Sequence, residues 1–483
     1  MSDADIPARM DRRDALKLAG VALVGVSTAW AMPSAISCAR VSKRVIVAGG
    51  GIAGLSCAYE LVKRGHQVTV LEASGRTGGH VRTLHDPFQD GLYVDAGAEN
   101  FQMVGKAYDL YRSYVKEFGL TPLYFAQSEI ALRFINGTMY TPDMLHDQGV
   151  LAKLGFNSRE CDFLGREPWG SLPGLYFGPY ADKFRNEYKP FEAGLDDLDR
   201  MTVHDRLRRD GASPAAIAHI GASQASALHA VWQAAILRIR AVPFVPGNYR
   251  LQGGNQMMTD AFASRLGGRV RLACPVTGVE HGKSGVTVRY REFGEAKKMD
   301  ADYLVCCMSA PMLSQLTVAP EFSAAKAYAI RRVTYYTGAR VAFQCHTPFW
   351  EKDKLSPSLE FGERNLAGVW RIAEEVATHR ALLEGSAGPG TTSEEALRVF
   401  RKLYPGKSED IEQAFVYDWS QDPWCTFCET VTLPPGKLPK VWPRIIEPEG
   451  RIHFAGAYAD NMWWGMEAAT RSANRAAKAI DED

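Results

Sequence analysis

The sequence lacks an excess of charge of either sign. Its 56 lysine and arginine residues are balanced by 55 aspartate and glutamate residues, so no net field draws the chain to a polyanion. It also lacks a basic run with interleaved aromatic residues, the pattern typical of nucleic-acid recognition. We therefore expect no nucleic-acid partner.

The sequence also lacks a cysteine framework and a metal motif. Its nine cysteines are scattered, unlike those of a disulfide-stapled domain. No His-Glu-x-x-His occurs and no histidine pair lies near the Cys425–Cys428 pair, so we expect no metal. No strand precedes that pair and no helix pattern follows it, which argues against a thioredoxin-type motif. Two interpretations of Cys425 and Cys428 stay open: a disulfide between them, or two unlinked thiols.

A long hydrophobic run is a third absence. The apolar run from Leu18 to Met32 is about 15 residues long, too short to span a bilayer comfortably. It follows Arg12-Arg13, and the pattern resembles a twin-arginine export signal, which predicts a periplasmic protein. Cleavage after Ala31 and a lipoprotein-like site at Cys38 are both open, as is a basic N-terminus ahead of a core helix.

What the sequence does contain is a glycine motif between two predicted strands. An apolar strand at 44–48 runs into Gly49-x-Gly51-x-x-Gly54, and a helix at about 53–64 leads to a second strand that ends at Glu72. In this pattern the first glycine allows a tight turn, the second admits a pyrophosphate, and the third lets the helix pack on the strand. The helix N-terminus then faces the phosphates, and Glu72 faces the ribose. The segment predicts a bound dinucleotide.

Two further segments resemble the flavin-dependent amine oxidase family, which includes monoamine oxidases and L-amino-acid oxidases. Residues 72–83 with 93–98 are similar to its second glycine motif, and residues 451–456 with 463–473 to its closing FAD motif. The resemblance implies an α/β fold with a Rossmann-like, glutathione-reductase-like FAD-binding domain and an interleaved α+β substrate domain. Two domains also suit the length of 483 residues.

The resemblance implies a discontinuous arrangement of these domains. Residues 1–40 are the export signal and linker; residues 41–105, 245–312 and 440–483 form the FAD-binding domain; residues 106–244 and 313–439 form the substrate domain. The residues expected to bind FAD are Gly49, Gly51, Ala53, Gly54, Glu72, Arg76, Gly78, Gly79, His80, Val276, Gly456, Met466 and Glu467.

Three local patterns between the motifs also carry expectations. Residues 176–188, rich in Phe and Tyr, are expected to be irregular. Residues 339–344 alternate apolar with polar, which predicts a half-buried strand. The small residues 385–393 are expected to form a surface loop.

The expected catalytic residues depart from the family pattern. Arg340 stands where the resemblance places a lysine that holds a water at flavin N5, and arginine cannot lose its proton. Gly465 and Glu429 replace the aromatic pair that flanks the substrate amine, so Trp464, Trp463 or Trp424 is left to form a wall. We therefore assign catalytic roles to Arg340, Trp464 and Glu429. The alternatives are a strand arginine paired with a surface carboxylate, core tryptophans and a solvated glutamate.

Cys428 has the placement of the flavin-linking cysteine of monoamine oxidases, although its neighbours differ. Non-covalent FAD is expected, with a covalent link through Cys428 as the alternative. The small-molecule substrate is expected to be an amine or amino acid, oxidised by hydride transfer to flavin N5 with imine formation. A desaturase of a hydrophobic substrate and a flavin-binding electron-transfer partner are the alternatives. Oxygen or an exported electron carrier is the expected acceptor, with room for peripheral membrane contact; the oligomeric state is undetermined.

Overall fold

The first predicted strand lies at the centre of a five-stranded parallel sheet. The computed structural model describes residues 41–483 except 125–131, 222–223, 243–247, 354–355, 357, 427, 431 and 462–464. The strands of this sheet, in spatial order, are Val270–Arg271, Gln67–Leu71, Arg44–Ala48, Tyr303–Cys306 and Ile452–Phe454. All four pairings are parallel. Segments far apart in the chain thus build one sheet, which confirms the predicted α/β class.

The helices that cover this sheet bury it on one side. Helix Ile52–Lys63 packs against helices Gln256–Leu266 and Gly465–Glu482, and helix Asp109–Phe118 joins the same apolar core. In α/β proteins both faces of a parallel sheet are generally covered. The strands of such a sheet are therefore apolar throughout and do not alternate. The burial of Val45, Ile46, Val47 and Ala48 follows from this.

Two other main sheets, of four and seven strands, complete the fold. A four-stranded sheet has the order Glu295–Ala301, Val286–Glu292, Val276–His281 and Thr317–Ala319. A seven-stranded sheet has the order Ile411–Asp418, Ala339–Cys345, Ala381–Ala387, Leu366–Ile372, Leu359–Glu363, Leu132–Ile135 and Thr138–Tyr140. Smaller sheets pair Phe101–Gln102 and Pro122–Tyr124 with Asn248–Leu251, Thr83–Leu84 with Val94–Asp95, and Tyr335–Tyr336 with Glu429–Thr430.

The other helices lie mostly in the middle of the chain. Most of them pack around Trp232 and Trp442, both fully enclosed, whereas Phe349–Asp353 and Ser393–Leu403 join the core of the seven-stranded sheet. These other helices are Gln148–Lys153, Ser158–Leu164, Leu172–Ala181, Val203–Arg209, Pro214–Ile220, Ala227–Ile239, Ala310–Leu313, Ala324–Arg332, Phe349–Asp353, Ser393–Leu403 and Leu438–Val441. None of the helices in the described part of the chain is long and apolar enough to cross a membrane. Residues 42–483 pack as one unit, and the boundaries expected between the two domains stay predictions.

Three local expectations were right only in part: residues 182–188 are irregular, 339–345 form a strand and 388–392 form a loop, as predicted, but the rest of each expectation was wrong. Residues 172–181 form a helix, although 176–188 were expected to be irregular; its aromatic residues Tyr176 and Phe177 are buried among other helices. Strand Ala339–Cys345 is almost entirely buried, because Phe343 packs under helix Ser393–Leu403 and Ala342 under residues 92–94. Gly385 lies in a strand, not a loop, where a Cβ would come within 2.4 Å of the Gly368 carbonyl oxygen.

The closest approach of helix to strand occurs at Gly54. A Cβ built there would lie 1.9 Å from the carbonyl oxygen of Gly49 and 3.3 Å from the Val47 side chain. Both neighbours are fixed in the sheet or its turn, so neither can move aside. The third glycine of the motif is therefore required by packing, as the sequence predicts.

We predict that Gly54→Ala lowers the free energy of unfolding by about 2–3 kcal/mol, since the methyl group must push the helix off the strand. Urea unfolding of the cofactor-free protein measures this. Gly174→Ala is the matched control, because Gly174 is an exposed helical glycine with no atom within 4 Å of its Cβ position. It is expected to raise stability by up to about 1 kcal/mol. Equal effects of the two substitutions would contradict the packing argument.

Candidate active site

A cavity of about 730 Å³ opens at the carboxyl ends of the parallel strands. Its wall includes Gly49, Glu72 and Cys307, each directly after one of those strands, and Gly456 after the last. Ligands of doubly wound sheets bind at this edge. The volume lies in the upper part of the range of about 300–1,000 Å³ for ligand cavities.

The glycine turn presents an uncapped helix N-terminus to this cavity. Gly51 is the residue before helix Ile52–Lys63, no side chain caps that end, and its first turn has no acidic residue. Backbone N–H groups left free in this way bind anions, and the helix dipole favours negative charge there. Helix Gly465–Glu482 also begins at the wall, through Gly465 and Met466.

The second glycine motif closes over the first. The Gly78 N–H donates to the Gly50 carbonyl at 2.9 Å, and Gly51 and Gly78 form an isolated bridge. A Cβ on Gly51 would meet only Gly79 Cα at 3.8 Å and the Gly78 carbonyl oxygen at 3.9 Å. The protein atoms around Gly51 leave room for a Cβ, but this Cβ would occupy space that a phosphate needs. The absence of a side chain at Gly51 thus fits a dinucleotide.

Glu72 and Val276 lie at the same end of the cavity. The Glu72 carboxylate accepts hydrogen bonds from the Gly50 N–H at 2.5 Å and from the Ser74 N–H and hydroxyl at 2.8 and 2.7 Å. These contacts hold the end of the second strand against the glycine turn. The carboxylate is therefore in place for the ribose contact that the sequence predicts, with lone pairs still available.

His80 and Trp419 form a stacked pair in the wall beyond the second glycine motif. Their ring centroids are 3.8 Å apart and their planes differ by 21°, while the Trp419 indole N–H donates to the Ala96 carbonyl at 2.7 Å. His80 Nε2 is buried and has no hydrogen-bond partner in the described part of the protein. Burial, with the nearby Arg340 and Arg76 cations, lowers the pKa of His80 to about 3. The wall therefore offers a neutral imidazole with an unsatisfied nitrogen, which fits a polar cofactor.

Arg340 lies in the cavity wall between two buried carboxylates. Its guanidinium is 3.2 Å from Glu384 and 3.5 Å from Glu99, and it donates to the Gly97 carbonyl at 3.1 Å. The Trp370 indole N–H donates to Glu99. The partners of Arg340 are thus buried carboxylates, not the surface carboxylate of the alternative interpretation. Its position at flavin N5 stays a prediction.

Glu384 is the least hydrated member of this group. It is fully buried, and neither carboxylate oxygen makes a hydrogen bond to a described residue. Burial, reinforced by the nearby Glu99 carboxylate, raises the pKa of Glu384 well above its usual range. Burial therefore favours the neutral form of Glu384, and the Arg340 cation 3.2 Å away opposes this effect.

Three expected cofactor ligands lie outside the cavity wall. Gly54 acts through packing, as described above. Arg76 is 3.7 Å from Asp422, whose carboxylate also accepts the Cys425 N–H at 2.8 Å. Glu467 accepts the Tyr111 and Leu110 N–H groups at 2.7 and 3.2 Å and caps helix Asp109–Phe118. Adjacent helical residues point in different directions, so Met466 faces the cavity while Glu467 faces the neighbouring helix.

The other expected cofactor residues line the cavity: Gly49, Gly51, Ala53, Glu72, Gly78, Gly79, His80, Val276, Gly456 and Met466. Trp463 and Trp464 lie outside the described residues. The backbone of Glu429 pairs with that of Tyr336, while the side chain of Glu429 lies outside the described part of the structure. Trp424, named as an alternative wall, does line the cavity.

Cys425 and Cys428 both line the cavity, and neither is part of a disulfide. Burial raises the pKa of Cys425 to about 12, so this thiol is protonated. The Cys428 N–H donates to the Tyr336 carbonyl at 2.9 Å, which fixes the backbone of the loop. The covalent link through Cys428 stays an alternative to non-covalent binding.

Sequence reasoning missed Glu99, Trp370 and Glu384. Glu384 could have been found, because it interrupts the apolar strand sequence Ala-Leu-Leu-Glu-Gly, where a charge needs a partner. Glu99 directly follows the quoted segment that ends at Ala98. The register of the seven-stranded sheet sets Glu384 opposite Trp370 and Ala342, whereas Glu99 lies in a loop two residues after Gly97, whose carbonyl accepts from Arg340.

Comparison with known proteins gives a match that spans most of the chain. Residues 52–481 match the model of the flavin containing amine oxidoreductase family. An L-amino acid oxidase of Bothriechis schlegelii is 25% identical over 468 residues, which cover 91% of this chain and 90% of that protein. An L-amino acid oxidase of Cerastes cerastes is 26% identical over 466 residues, covering 91% and 87%.

Solved structures share the fold. Putrescine oxidase bound to putrescine has a TM-score of 0.76 at 21% identity, covering 92% of this chain and 100% of that one. Cyclohexylamine oxidase from Brevibacterium oxydans has a TM-score of 0.73 at 22% identity, covering 92% and 99%. These similarities confirm the expected combination of a Rossmann-like FAD-binding domain and a substrate domain.

We predict that Gly51→Val abolishes retention of FAD while the cofactor-free protein keeps its stability to within about 1 kcal/mol. The branched side chain has room among the protein atoms but occupies the phosphate position. The ratio of flavin to protein after gel filtration measures retention. Gly75→Ala is the control, since no atom lies within 4 Å of its Cβ position, and it should retain FAD. Full flavin content in the valine variant would refute this role of the glycine loop.

Proposed function

This chain belongs to the family of flavin containing amine oxidoreductases, and from that premise we propose that it oxidises the carbon–nitrogen bond of a small amine or amino acid. It is an FAD-dependent enzyme. The observation that supports the proposal best is that one cavity joins an uncapped helix N-terminus at Gly51 to a wall of charged side chains at Arg340 and Glu99. The first suits a pyrophosphate, the second a charged substrate.

FAD, when bound, accepts a hydride from the carbon next to the substrate nitrogen. The residues of this chain bind the cofactor and the substrate, orient them and exclude water from the cavity. The two glycine loops hold the phosphates, and the neutral His80, fixed by Trp419, supplies a nitrogen for hydrogen bonding beyond them. Trp370 gives the wall an aromatic face 5.5 Å from the Arg340 cation. Glu99 is the carboxylate of that wall.

Arg340 cannot take the proton-transfer role of a lysine, because a guanidinium does not lose its proton. Two carboxylates and a carbonyl already engage it. We therefore infer that Arg340 sets the electrostatic potential of the wall and fixes Glu99, while oxygen or an exported electron carrier reoxidises the flavin.

We predict that primary amines or amino acids reduce the bound flavin under anaerobic conditions, measured as loss of its visible absorbance. Benzylamine and phenylglycine form one arm, since both carry the amine on the carbon next to the ring and they differ only in a carboxylate. 2-Phenylpropan-2-amine is the matched control, because it has no hydrogen on the carbon next to nitrogen and should cause no reduction. Reduction only by apolar compounds without nitrogen would favour the desaturase alternative.

We also propose that the enzyme is exported to the periplasm through the twin-arginine pathway. The support is the Arg12-Arg13 pair ahead of a short apolar run, within residues that lie outside the described part of the chain. A pathway that carries folded proteins suits an enzyme that binds FAD before export.

Replacing Arg12 and Arg13 with lysine should retain a folded, flavin-loaded precursor in the cytoplasm. Immunodetection in periplasmic and cytoplasmic fractions checks this. Arg9→Lys, which alters an arginine outside the pair, should leave export unchanged. Periplasmic protein from the double variant at the wild-type level would remove the twin-arginine proposal.

A further inference from the structure

We propose that Glu99 is the base that removes the proton from the substrate's ammonium group before the carbon–hydrogen bond breaks. The inference rests on the proposed function, because it concerns the substrate nitrogen of an amine or amino acid. It assigns a catalytic role to a residue whose contacts would otherwise suggest only a partner for Arg340.

The position of Glu99 supports this role. It lines the cavity and follows Gly97 by two residues. A Cβ on Gly97 would lie 3.1 Å from the Trp419 ring and 1.8 Å from the His80 carbonyl oxygen, so this segment lies directly against the stacked pair. Glu99 thus faces the cavity near the His80–Trp419 pair, beyond the phosphate-binding loops.

The charges around Glu99 suit a proton acceptor. Arg340 and Arg250 are the cations that face it, and Asp95 and Glu384 are the other carboxylates. Asp95 is itself fully buried, with one oxygen that accepts hydrogen bonds from Thr83 and the Asn255 N–H. Three carboxylates at close quarters with two arginines favour uptake of a proton, since neighbouring like charges disfavour full ionisation.

The contacts of Glu99 distinguish it from Glu384. Glu99 accepts the Trp370 N–H and faces Arg340, and both stabilise its ionised form. Burial raises the pKa of Glu99, while the Arg340 cation and the Trp370 donor oppose that rise. Glu384 has no such hydrogen bond. Of the two carboxylates, only Glu99 accepts the Trp370 N–H and is a residue of the cavity wall, so we assign the proton uptake to Glu99.

Glu99 also has acceptor capacity left. A carboxylate offers about four lone-pair sites, of which Trp370 uses one and Arg340 another. When the ammonium N–H bond breaks, its electron pair stays on nitrogen and an O–H bond forms on Glu99. The freed nitrogen pair then assists departure of the hydride from the neighbouring carbon, and the product leaves as a protonated imine. The proton on Glu99 returns to solvent before the next turnover.

The test is the pH dependence of the second-order rate constant of anaerobic flavin reduction by benzylamine, measured well below saturation, from about pH 6 to about pH 10. In Glu99→Gln only the free amine reacts, so the rate at pH 7 should fall about 100-fold and rise about tenfold per pH unit until the pKa of the amine. Glu99→Asp should recover part of the loss. Glu360→Gln is the matched control, since Glu360 pairs with Arg133 at 3.0 Å in the same sheet and lies outside the cavity.

Identical pH profiles for the wild type and Glu99→Gln would overturn the proposal. A changed pH profile in Glu384→Gln together with an unchanged one in Glu99→Gln would also overturn it. Flavin content and thermal unfolding establish that each variant is folded. If benzylamine does not reduce the wild type, the proposed function fails for this substrate, and calorimetry still tests the proton transfer.

For that measurement, 2-phenylpropan-2-amine is titrated into each protein in two buffers of different ionisation enthalpy. The wild type should release no proton to the buffer on binding, whereas Glu99→Gln should release about one, because it can bind only the neutral amine. No release from either protein, or no binding by the wild type, would overturn the assignment.

Discussion

The close approach of Gly54 to the Gly49 carbonyl is the constraint on which the cofactor end of the cavity depends. A helix with any side chain there would stand further from the sheet, because the Cβ would lie 1.9 Å from that oxygen. Its first N–H groups would then no longer point at the space beside Gly51. The bridge between Gly51 and Gly78 would also be lost. One missing methyl group thus sets where an anion binds.

The charged wall of the cavity is organised around Arg340. Arg340 is shared by Glu99 and Glu384, and burying such a group costs more than an apolar packing of similar volume. Active sites commonly accept that cost, because groups with displaced pKa values perform proton chemistry. The arrangement also explains why lysine is absent: a fixed, planar cation can contact two carboxylates and a carbonyl at once.

Sequence reasoning predicted the cofactor end of the site well and the substrate end poorly. Gly49, Gly51 and Glu72 follow one another within one strand–helix–strand unit, so local spacing determines their geometry. Arg340, Glu99 and Glu384 come from three separate segments: sheet register places Glu384 near Arg340, whereas Glu99 reaches Arg340 from a loop outside the sheets. Glu467 shows the limit of motif reasoning even at the well-predicted end. Its spacing in the closing motif suggests a cofactor ligand, yet the helix directs its carboxylate to the Tyr111 N–H.

The discontinuity of the parallel sheet has a consequence for synthesis of the protein. Strand Ile452–Phe454 completes the sheet by pairing with Tyr303–Cys306, and the cavity wall extends to Ala469. A ribosome that has made the chain as far as Cys306 has therefore produced four of the five strands but not the wall beyond Gly456. Chains fold progressively from the N-terminus during translation, so the nascent chain cannot form a finished nucleotide pocket. Cofactor capture must follow release of nearly the whole polypeptide, and truncated translation products will lack colour.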